Sequence, residues 1–233
     1  MVDLESIALR LAAVRSRIDA AARLAGRAPE SVRLLAVSKQ HSAERIRAAY
    51  RAGQLAFGEN YVQEALAKQA ALSDLHIEWH LIGPLQSNKT RLAAEHFAWI
   101  HSLDRLSIAE RLARQRPASL PPLNVCVQIN VSGEASKSGV SVEEAPQLIA
   151  AVANLPRLAL RGLMTIPAPG RDPEALRTQF ARVAELFDTI RNGHPGLRDW
   201  DTLSMGMSDD LEIAIACGST LVRVGTAIFG PRR

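Results

Sequence analysis

Short apolar runs alternate with amphipathic segments along the whole chain. Residues 3–25 place apolar side chains three or four positions apart with arginines between them, which predicts an amphipathic helix that ends before Gly26. The run Leu34–Val37 predicts a short buried strand, because it is apolar, contains a β-branched residue and is followed by a polar turn. Continued to the end of the chain, this pattern predicts eight strands, at residues 34–37, 55–58, 77–82, 98–102, 123–131, 158–164, 200–204 and 220–224.

The segments between these strands have the apolar period of helices. Such alternation predicts parallel strands with helical crossovers, and eight strands over 233 residues favour a closed (β/α)8 barrel of the TIM type over an open sheet. No linker or break in composition interrupts the chain, so we expect one domain over residues 1–233. The predicted helices between strands lie at residues 42–51, 62–72, up to 94, 105–116, 141–154, 173–191 and 209–216.

Composition narrows the class of protein. Hydrophobic residues make up 47% of the chain and charged residues 22%, as in an ordinary soluble globular protein. No window approaches the roughly 18 uninterrupted apolar residues of a spanning helix, and the amino terminus lacks the regions of a signal peptide, so we expect a cytoplasmic protein without membrane association. The net charge of +4 comes from arginines scattered among 24 acids, and aromatic residues are only 4%, which argues against nucleic acid as a partner.

Lysine is scarce, and one lysine follows the first predicted strand directly. Only four of the 28 basic side chains are lysines, at positions 39, 68, 89 and 137. An amine can lose its proton near neutral pH and attack a carbonyl, whereas a guanidinium cannot. Lys39, at the carboxyl end of strand one, is therefore a candidate nucleophile, although an exposed lysine at a strand end needs no such role.

The loops after the last two predicted strands suit an anion. In such barrels the chemistry lies at the carboxyl ends of the strands, and phosphate is frequently held after strands seven and eight. Residues 204–208 offer two hydroxyls and closely spaced backbone N–H groups before a helix, and residues 223–226 add Gly225 and Thr226. Either loop alone could be a simple turn and helix cap, but their joint position favours a phosphate.

An amine and a phosphate site at the same barrel mouth indicate an enzyme or carrier that binds a phosphorylated aldehyde. Pyridoxal 5′-phosphate (PLP) is the leading candidate, because Lys39 could hold its aldehyde as an imine while the last two loops hold its phosphate. No glycine-rich dinucleotide motif follows a strand. His76 and His80 have the spacing of a helical zinc pair, yet they lie in and before a predicted strand, so we expect no metal.

Seven segments carry a family resemblance that covers nearly the whole chain. In order they are AVSK at 36–39, FGENYVQE at 57–64, WHLIGPLQSNK at 79–89, INVSGEASKSG at 129–139, GLMTI at 162–166, LSMGMSDD at 203–210 and VRVGTAIFG at 222–230. Together they resemble the pyridoxal phosphate homeostasis protein family, also called the YggS or PROSC family. The resemblance implies a fold-type III PLP barrel, as in the amino-terminal domain of alanine racemase, in which Lys39 carries the cofactor. It also implies storage or delivery of PLP and an influence on amino-acid and keto-acid balance, without established turnover.

The same resemblance assigns the other residues of the site. The phosphate and ring would contact the segments Ser204 to Ser208 and Arg223 to Thr226, and Asn60 and His80 would line the pocket. Lys137 follows strand five at the same end of the barrel and is a candidate second amine for PLP, or simply a solvated loop lysine. The full set of expected cofactor-binding residues is Lys39, Asn60, His80, Ser204, Met205, Gly206, Ser208, Arg223, Gly225 and Thr226, with no catalytic residue assigned.

Two enzymatic alternatives remain open at this point. A fold-type III racemase or decarboxylase would use the same imine, but such racemases resemble one another in having a further β-rich domain and a tyrosine base. This chain ends at Arg233, just after strand eight, and its two tyrosines are Tyr50 and Tyr61, neither an obvious base. An aldolase acting on sugar phosphates would need no bound cofactor. We expect a monomer whose recipients are PLP-dependent apoenzymes.

Overall fold

Eight parallel strands close into one barrel in chain order, and the first strand pairs with both the second and the eighth. The structure is a computed structural model that describes residues 4–134, 138–168, 172–194, 196–197 and 199–231. The predicted (β/α)8 barrel is therefore confirmed. The strands are β1 (Arg33–Val37), β2 (Ala56–Glu59), β3 (Glu78–Leu81), β4 (Trp99–Leu103), β5 (Leu123–Ile129), β6 (Leu158–Thr165), β7 (Thr202–Ser204) and β8 (Leu221–Val224).

Helices cover the outside of the barrel. The first of them precedes β1 and lies against the second, eighth and ninth helices, so it covers the seam where β1 meets β8. Among the described residues, no helix has both the length and the apolar composition needed to cross a membrane. The helices are α1 (Leu4–Leu24), α2 (Ala43–Arg51), α3 (Val62–Ala71), α4 (Thr90–His96), α5 (Leu106–Gln115), α6 (Ala145–Ala153), α7 (Pro173–Gly193), α8 (Leu211–Ala216) and α9 (Thr226–Phe229).

The predicted elements differ from the observed ones mainly at their ends. Strand β7 begins at Thr202, two residues later than predicted, because Trp200 stacks on Phe187 of α7 and its indole N–H donates to the Phe187 carbonyl oxygen at 3.0 Å. Helix α9 was not predicted, since four residues are too few for a helical period to repeat. Neither difference changes the order of the barrel.

The interior of the barrel contains more polar side chains than an ordinary TIM barrel, whose interior is filled by branched apolar residues. Residues paired across two parallel strands face the same side of the sheet. Leu35 is paired with Arg223, and His80 with Trp99, and these side chains point into the barrel. His80, His101, Ser204 and Arg223 are all buried there. Buried polar groups require hydrogen-bond partners, so this interior must contain a satisfied network.

All eight strands end at the same end of the barrel, which we call the mouth. Strand β1 is in register with β2 at Val37 and Gly58, and with β8 at Ala36 and Val224. The turn that carries Lys39 therefore lies beside the segment that leaves β8. The contact there is close, because a Cβ atom on Gly225 would lie 3.0 Å from the Val37 carbonyl oxygen.

Candidate cofactor site at the barrel mouth

A cavity of about 250 Å³ lies at the mouth. Segments that leave β1, β2, β3, β6, β7 and β8 contribute to its wall, so the cavity depends on the closure of the whole barrel. Six of the residues expected from the sequence line it together: Lys39, Asn60, Ser208, Arg223, Gly225 and Thr226.

Four expected residues do not line this cavity. Ser204 and Met205 are fully buried in β7 and just after it, and His80 is buried inside the barrel. Gly206 has φ +96°, and a Cβ atom there would lie 2.7 Å from the Ala214 Cβ, so this glycine allows α8 to pack closely. Lys137 lies outside the described residues.

Five further lining residues lie outside the residues and segments that were predicted. Ile82 and Ile166, which follow β3 and β6, provide apolar walls, and His41 lies two residues beyond Lys39. The signal that could have found Ile82 and Ile166 is their position immediately after a strand, since every strand exit of a barrel faces the mouth. The complete unpredicted set is Val37, His41, Ile82, Ile166 and Asp209, and Met207, which also lines the cavity, lies in the predicted segment Ser204 to Ser208.

Hydrogen bonds to the backbone stabilise the turn that carries Lys39. Its backbone is unusual at Gln40, where φ is +62°, a region that non-glycine residues rarely adopt. The Gln40 N–H donates to Glu64 Oε1 at 2.5 Å, and the His41 N–H donates to the Ser38 carbonyl oxygen at 3.0 Å. The turn thus has a defined shape on the side away from the cavity.

A second lysine stabilises the same turn. Lys68 Nζ donates to the Ser38 carbonyl oxygen at 2.7 Å, to both Glu59 oxygens at 2.8 and 2.9 Å, and to Glu64 Oε1 at 2.6 Å. The Ser38 hydroxyl donates to Glu59 at 2.5 Å. Burial raises the pKa of Glu59, and Lys68 opposes that rise. We call Ser38, Glu59, Glu64 and Lys68 the Lys68 cluster. The sequence analysis did not predict this cluster, because no spacing rule links residues 38, 59 and 68.

Arg223 is a buried cation at the floor of the cavity. Its Nη1 donates to the Ser204 carbonyl oxygen and to Ser204 Oγ, both at 2.7 Å, and its Nη2 donates to the Thr165 carbonyl oxygen at 2.8 Å. Burial lowers the pKa of Arg223 to about 10, so it remains charged at neutral pH. Within the described part of the chain, no carboxylate forms an ion pair with it.

The hydrogen bonds continue from Arg223 through the barrel interior. His101 Nδ1 lies 2.9 Å from Ser204 Oγ, His101 Nε2 lies 2.9 Å from His80 Nδ1, and His80 Nε2 lies 2.7 Å from Glu78 Oε1. The His80 ring also stacks on Trp99, with ring centroids 5.2 Å apart. His80 is therefore part of an interior network, and the sequence signal for this network is a polar residue at alternate positions of otherwise apolar strands.

Comparison with known proteins identifies the class. Residues 9–233 match the family described as alanine racemase, N-terminal domain. The pyridoxal phosphate homeostasis protein of Pseudomonas aeruginosa is 58% identical over 229 residues, covering 98% of this chain and 97% of that protein. The protein of the same name from Escherichia coli K12 is 55% identical over 232 residues, covering 98% of both chains. The chain belongs to the pyridoxal phosphate homeostasis protein family.

Solved structures agree with this assignment. PipY of Synechococcus elongatus without PLP has a TM-score of 0.87 at 42% identity, and PipY with PLP bound has a TM-score of 0.82 at 43% identity. Each comparison covers 96% of this chain and 100% of PipY. Alanine racemase of Corynebacterium glutamicum, at 19% identity, has a TM-score of 0.74 over 99% of this chain and 62% of its own, which shows a common fold.

Proposed function

We propose that this protein binds PLP in the mouth cavity and takes part in PLP homeostasis, as a store from which the cofactor is delivered. The single observation that carries the proposal is the composition of the cavity wall. One space of about 250 Å³ is lined by a primary amine on Lys39, a buried cation on Arg223 and the hydroxyl residues Ser208 and Thr226. The names of the relatives and the PLP bound to PipY support it.

The residues present fit the chemical groups of PLP. When bound, PLP supplies an aldehyde that condenses with a primary amine and a ring that withdraws electrons. Lys39 would hold the aldehyde carbon, and Ser208 and Thr226 would donate hydroxyl hydrogen bonds to the phosphate. Gly225 has no side chain that would keep an anion away from its backbone, and the close approach of Val37 leaves little space for one.

The other groups of the site position these contacts. The Lys68 cluster fixes the turn that carries Lys39, so the amine is presented from a defined backbone. The Arg223 guanidinium would disfavour a second positive charge on a ring nitrogen held against it, by like-charge repulsion. A neutral ring nitrogen makes the cofactor a weaker electron sink, which suits a carrier better than a catalyst.

We therefore expect no efficient racemase or decarboxylase turnover. Racemisation needs a positioned acid or base on each face of the reacting carbon, and Lys39 can serve only one face. Of the two tyrosines, Tyr61 is 61% exposed and does not line the cavity, and Tyr50 lies on α2. We further propose a cytoplasmic monomer that passes PLP to apoenzymes.

Reduction of the purified holoprotein with borohydride tests the proposal, because it fixes PLP on the amine that holds it. Peptide mapping should find the pyridoxyl group on Lys39. Lys39→Ala should abolish this labelling and leave the circular dichroism spectrum unchanged, since Lys39 follows a strand and lines an open cavity. The matched variant Lys89→Ala should retain the labelling. A pyridoxyl group on another lysine of the unmutated protein would falsify the assignment of Lys39. If the unmutated protein binds no PLP, the proposed function is wrong.

A further inference from the structure

One continuous chain of hydrogen bonds crosses the barrel interior from the cavity floor to the opposite end. It runs from Arg223 through Ser204, His101 and His80 to Glu78, with every link between 2.7 and 2.9 Å. Glu78 is the first residue of β3, so it lies at the amino end of the barrel, where its side chain is 47% exposed. The three residues between the two charged ends are fully or almost fully buried.

The direction of every hydrogen bond in this chain follows from its last member. An ionised carboxylate can only accept, and the hydrogen bond from His80 holds the pKa of Glu78 below its usual value, so His80 must donate from Nε2. Burial lowers the pKa of both His80 and His101, which keeps both rings neutral at neutral pH. A neutral ring that donates from Nε2 accepts at Nδ1.

The same logic carries the direction to the cavity. Because His80 accepts at Nδ1, His101 donates to it from Nε2 and itself accepts at Nδ1. The Ser204 hydroxyl then donates to His101, which leaves the lone pairs of Ser204 Oγ for the Arg223 guanidinium. All four bonds point from the guanidinium towards the carboxylate, so a single tautomer of each histidine satisfies the whole chain.

We propose that His101 is a positioning residue for the cofactor, acting through Ser204 on Arg223. This inference rests on the proposed function. The charge of Asp210 acts on Arg223, but no carboxylate of the described residues forms an ion pair with it. The orientation of Arg223 therefore depends on its hydrogen bonds to the oxygen atoms of Ser204 and Thr165. The hydrogen bond to His101 fixes the Ser204 hydroxyl in a rotamer in which Oγ presents a lone pair to Arg223. Without His101 the hydroxyl can rotate, and its hydrogen can then face the guanidinium.

A role in packing alone makes a different prediction. Cys126 lies in the same barrel interior, buried in one group with Trp99 and Met164, and forms no hydrogen bond in the chain. Burial raises the pKa of its thiol to about 12, so it is neutral, as is the alanine that would replace it. Cys126→Ala is therefore the control for His101→Leu, because both change the packing of the interior without adding a charge, but only the second breaks the chain.

The first test uses the protein without cofactor. Nitrogen-15 spectra of histidine-labelled protein report the tautomer of each ring, and rings are assigned with single histidine variants. Neutral rings protonated at Nε2 in both His80 and His101 at pH 7 support the chain. A charged ring, or a proton on Nδ1 of either ring, overturns it. This readout does not depend on PLP binding, so it separates a failure of this inference from a failure of the proposed function.

The second test measures the dissociation constant of PLP by absorbance titration. His101→Leu should weaken binding about tenfold, the scale on which residues behind a binding group act in metal sites. Cys126→Ala should stay within about twofold of the parent at a comparable melting temperature. Should His101→Leu fail to fold, Glu78→Leu replaces it, because Glu78 is half exposed and lies at the far end of the barrel. Mixed tautomers and weaker PLP binding in Glu78→Leu support the role; unchanged affinity in a folded variant with a broken chain overturns it.

Discussion

Two buried cations lie near the mouth, and they are compensated in opposite ways. Lys68 is surrounded by two carboxylates, those of Glu59 and Glu64, and by the Ser38 carbonyl oxygen. Arg223 is buried at least as deeply, yet within the described residues its hydrogen bonds reach only two carbonyl oxygens and the hydroxyl of Ser204. One cation belongs to a closed ionic cluster, whereas the other faces a cavity.

This difference separates structure from binding. Removing one partner of a buried, fully hydrogen-bonded ion pair strongly destabilises the fold, because the other charge is then left uncompensated. Arg223 forms no direct ion pair among the described residues, and only the charge of Asp210 acts on it through space. A bound anion can recover part of the free energy that such a buried cation costs, and strongly perturbed groups of this kind concentrate at functional sites. We therefore expect substitutions at Lys68 to change folding most, and substitutions at Arg223 to change cofactor binding most.

The largest effect is expected for Lys68→Met. Removing the amine leaves Glu59 buried without a counterion, so the free energy of unfolding should fall by about 3–5 kcal/mol at pH 7.5. Urea denaturation measures the loss. Lys89→Met is the control, because Lys89 makes no ion pair among the described residues, and it should change stability by less than about 0.5 kcal/mol. Equal losses in the two variants would contradict the structural role of the cluster.

The pH dependence of this variant gives an independent check. Burial already raises the pKa of Glu59, and loss of Lys68 raises it further. A carboxyl group whose pKa is higher in the folded state favours folding when it is protonated, and that contribution is lost as the pH rises through the folded pKa. The stability of Lys68→Met should therefore approach that of the parent near pH 5 and fall behind it towards pH 8.

For Arg223→Met we expect a small loss of stability and a large loss of affinity for PLP. The substitution removes a buried charge that has no direct ion-pair partner but leaves three acceptors without this donor, so we expect the free energy of unfolding to fall by less than about 2 kcal/mol. Affinity for PLP should fall by roughly tenfold to a hundredfold, the value of one charge-assisted contact. Titration and urea denaturation on the same preparation measure both quantities. A stability loss as large as that of Lys68→Met with unchanged PLP affinity would reverse the comparison.

The fold was accessible from the sequence because its signal is local and repeated. Each strand is a short apolar run, and each helix has its own period, so errors at single boundaries leave the order intact. Ser141 and Glu144 have the sequence spacing of a capping box, and the box forms. The Glu144 N–H donates to Ser141 Oγ and Glu144 Oε2 accepts from the Ser141 N–H, although α6 begins only at Ala145. Interactions three residues apart can be read from a sequence.

The candidate site was accessible only in part, since its interactions cross the barrel. Lys39, Ser208 and Thr226 were found because each directly follows a strand or closes a loop at the mouth. The pairing of Lys68 with Glu59, and of His80 with His101, depends on helix rotation and strand register. These are set by packing over the whole closed barrel, so no local pattern predicts them.

A smaller effect is expected at the two hydroxyl groups of the cavity wall, where the cofactor phosphate would bind. Ser208→Ala and Thr226→Val each remove one hydroxyl from the wall, so each should weaken PLP binding by about tenfold. Pyridoxal, which has no phosphate, is the matched ligand, and its affinity should change by less than about twofold. If PLP and pyridoxal lose affinity equally in both variants, the phosphate lies elsewhere.

The smallest effect tests the partly exposed member of the Lys68 cluster. Glu64→Gln keeps an oxygen that can accept from Lys68 Nζ and from the Gln40 N–H but removes the charge. Burial opposes the shift, yet the hydrogen bonds from Lys68 and Gln40 lower the pKa of Glu64 overall. Because the pKa is lower in the folded state, the charge stabilises the fold above the unfolded pKa, and this contribution is lost as the pH falls through the folded pKa.

Urea denaturation measures this contribution. At pH 7 the free energy of unfolding of the parent should exceed that of Glu64→Gln by less than about 1 kcal/mol, as for a partly exposed ion pair. The two curves should converge in acid, and a difference that persists there would show that Glu64 acts through its shape, leaving Glu59 alone to compensate Lys68.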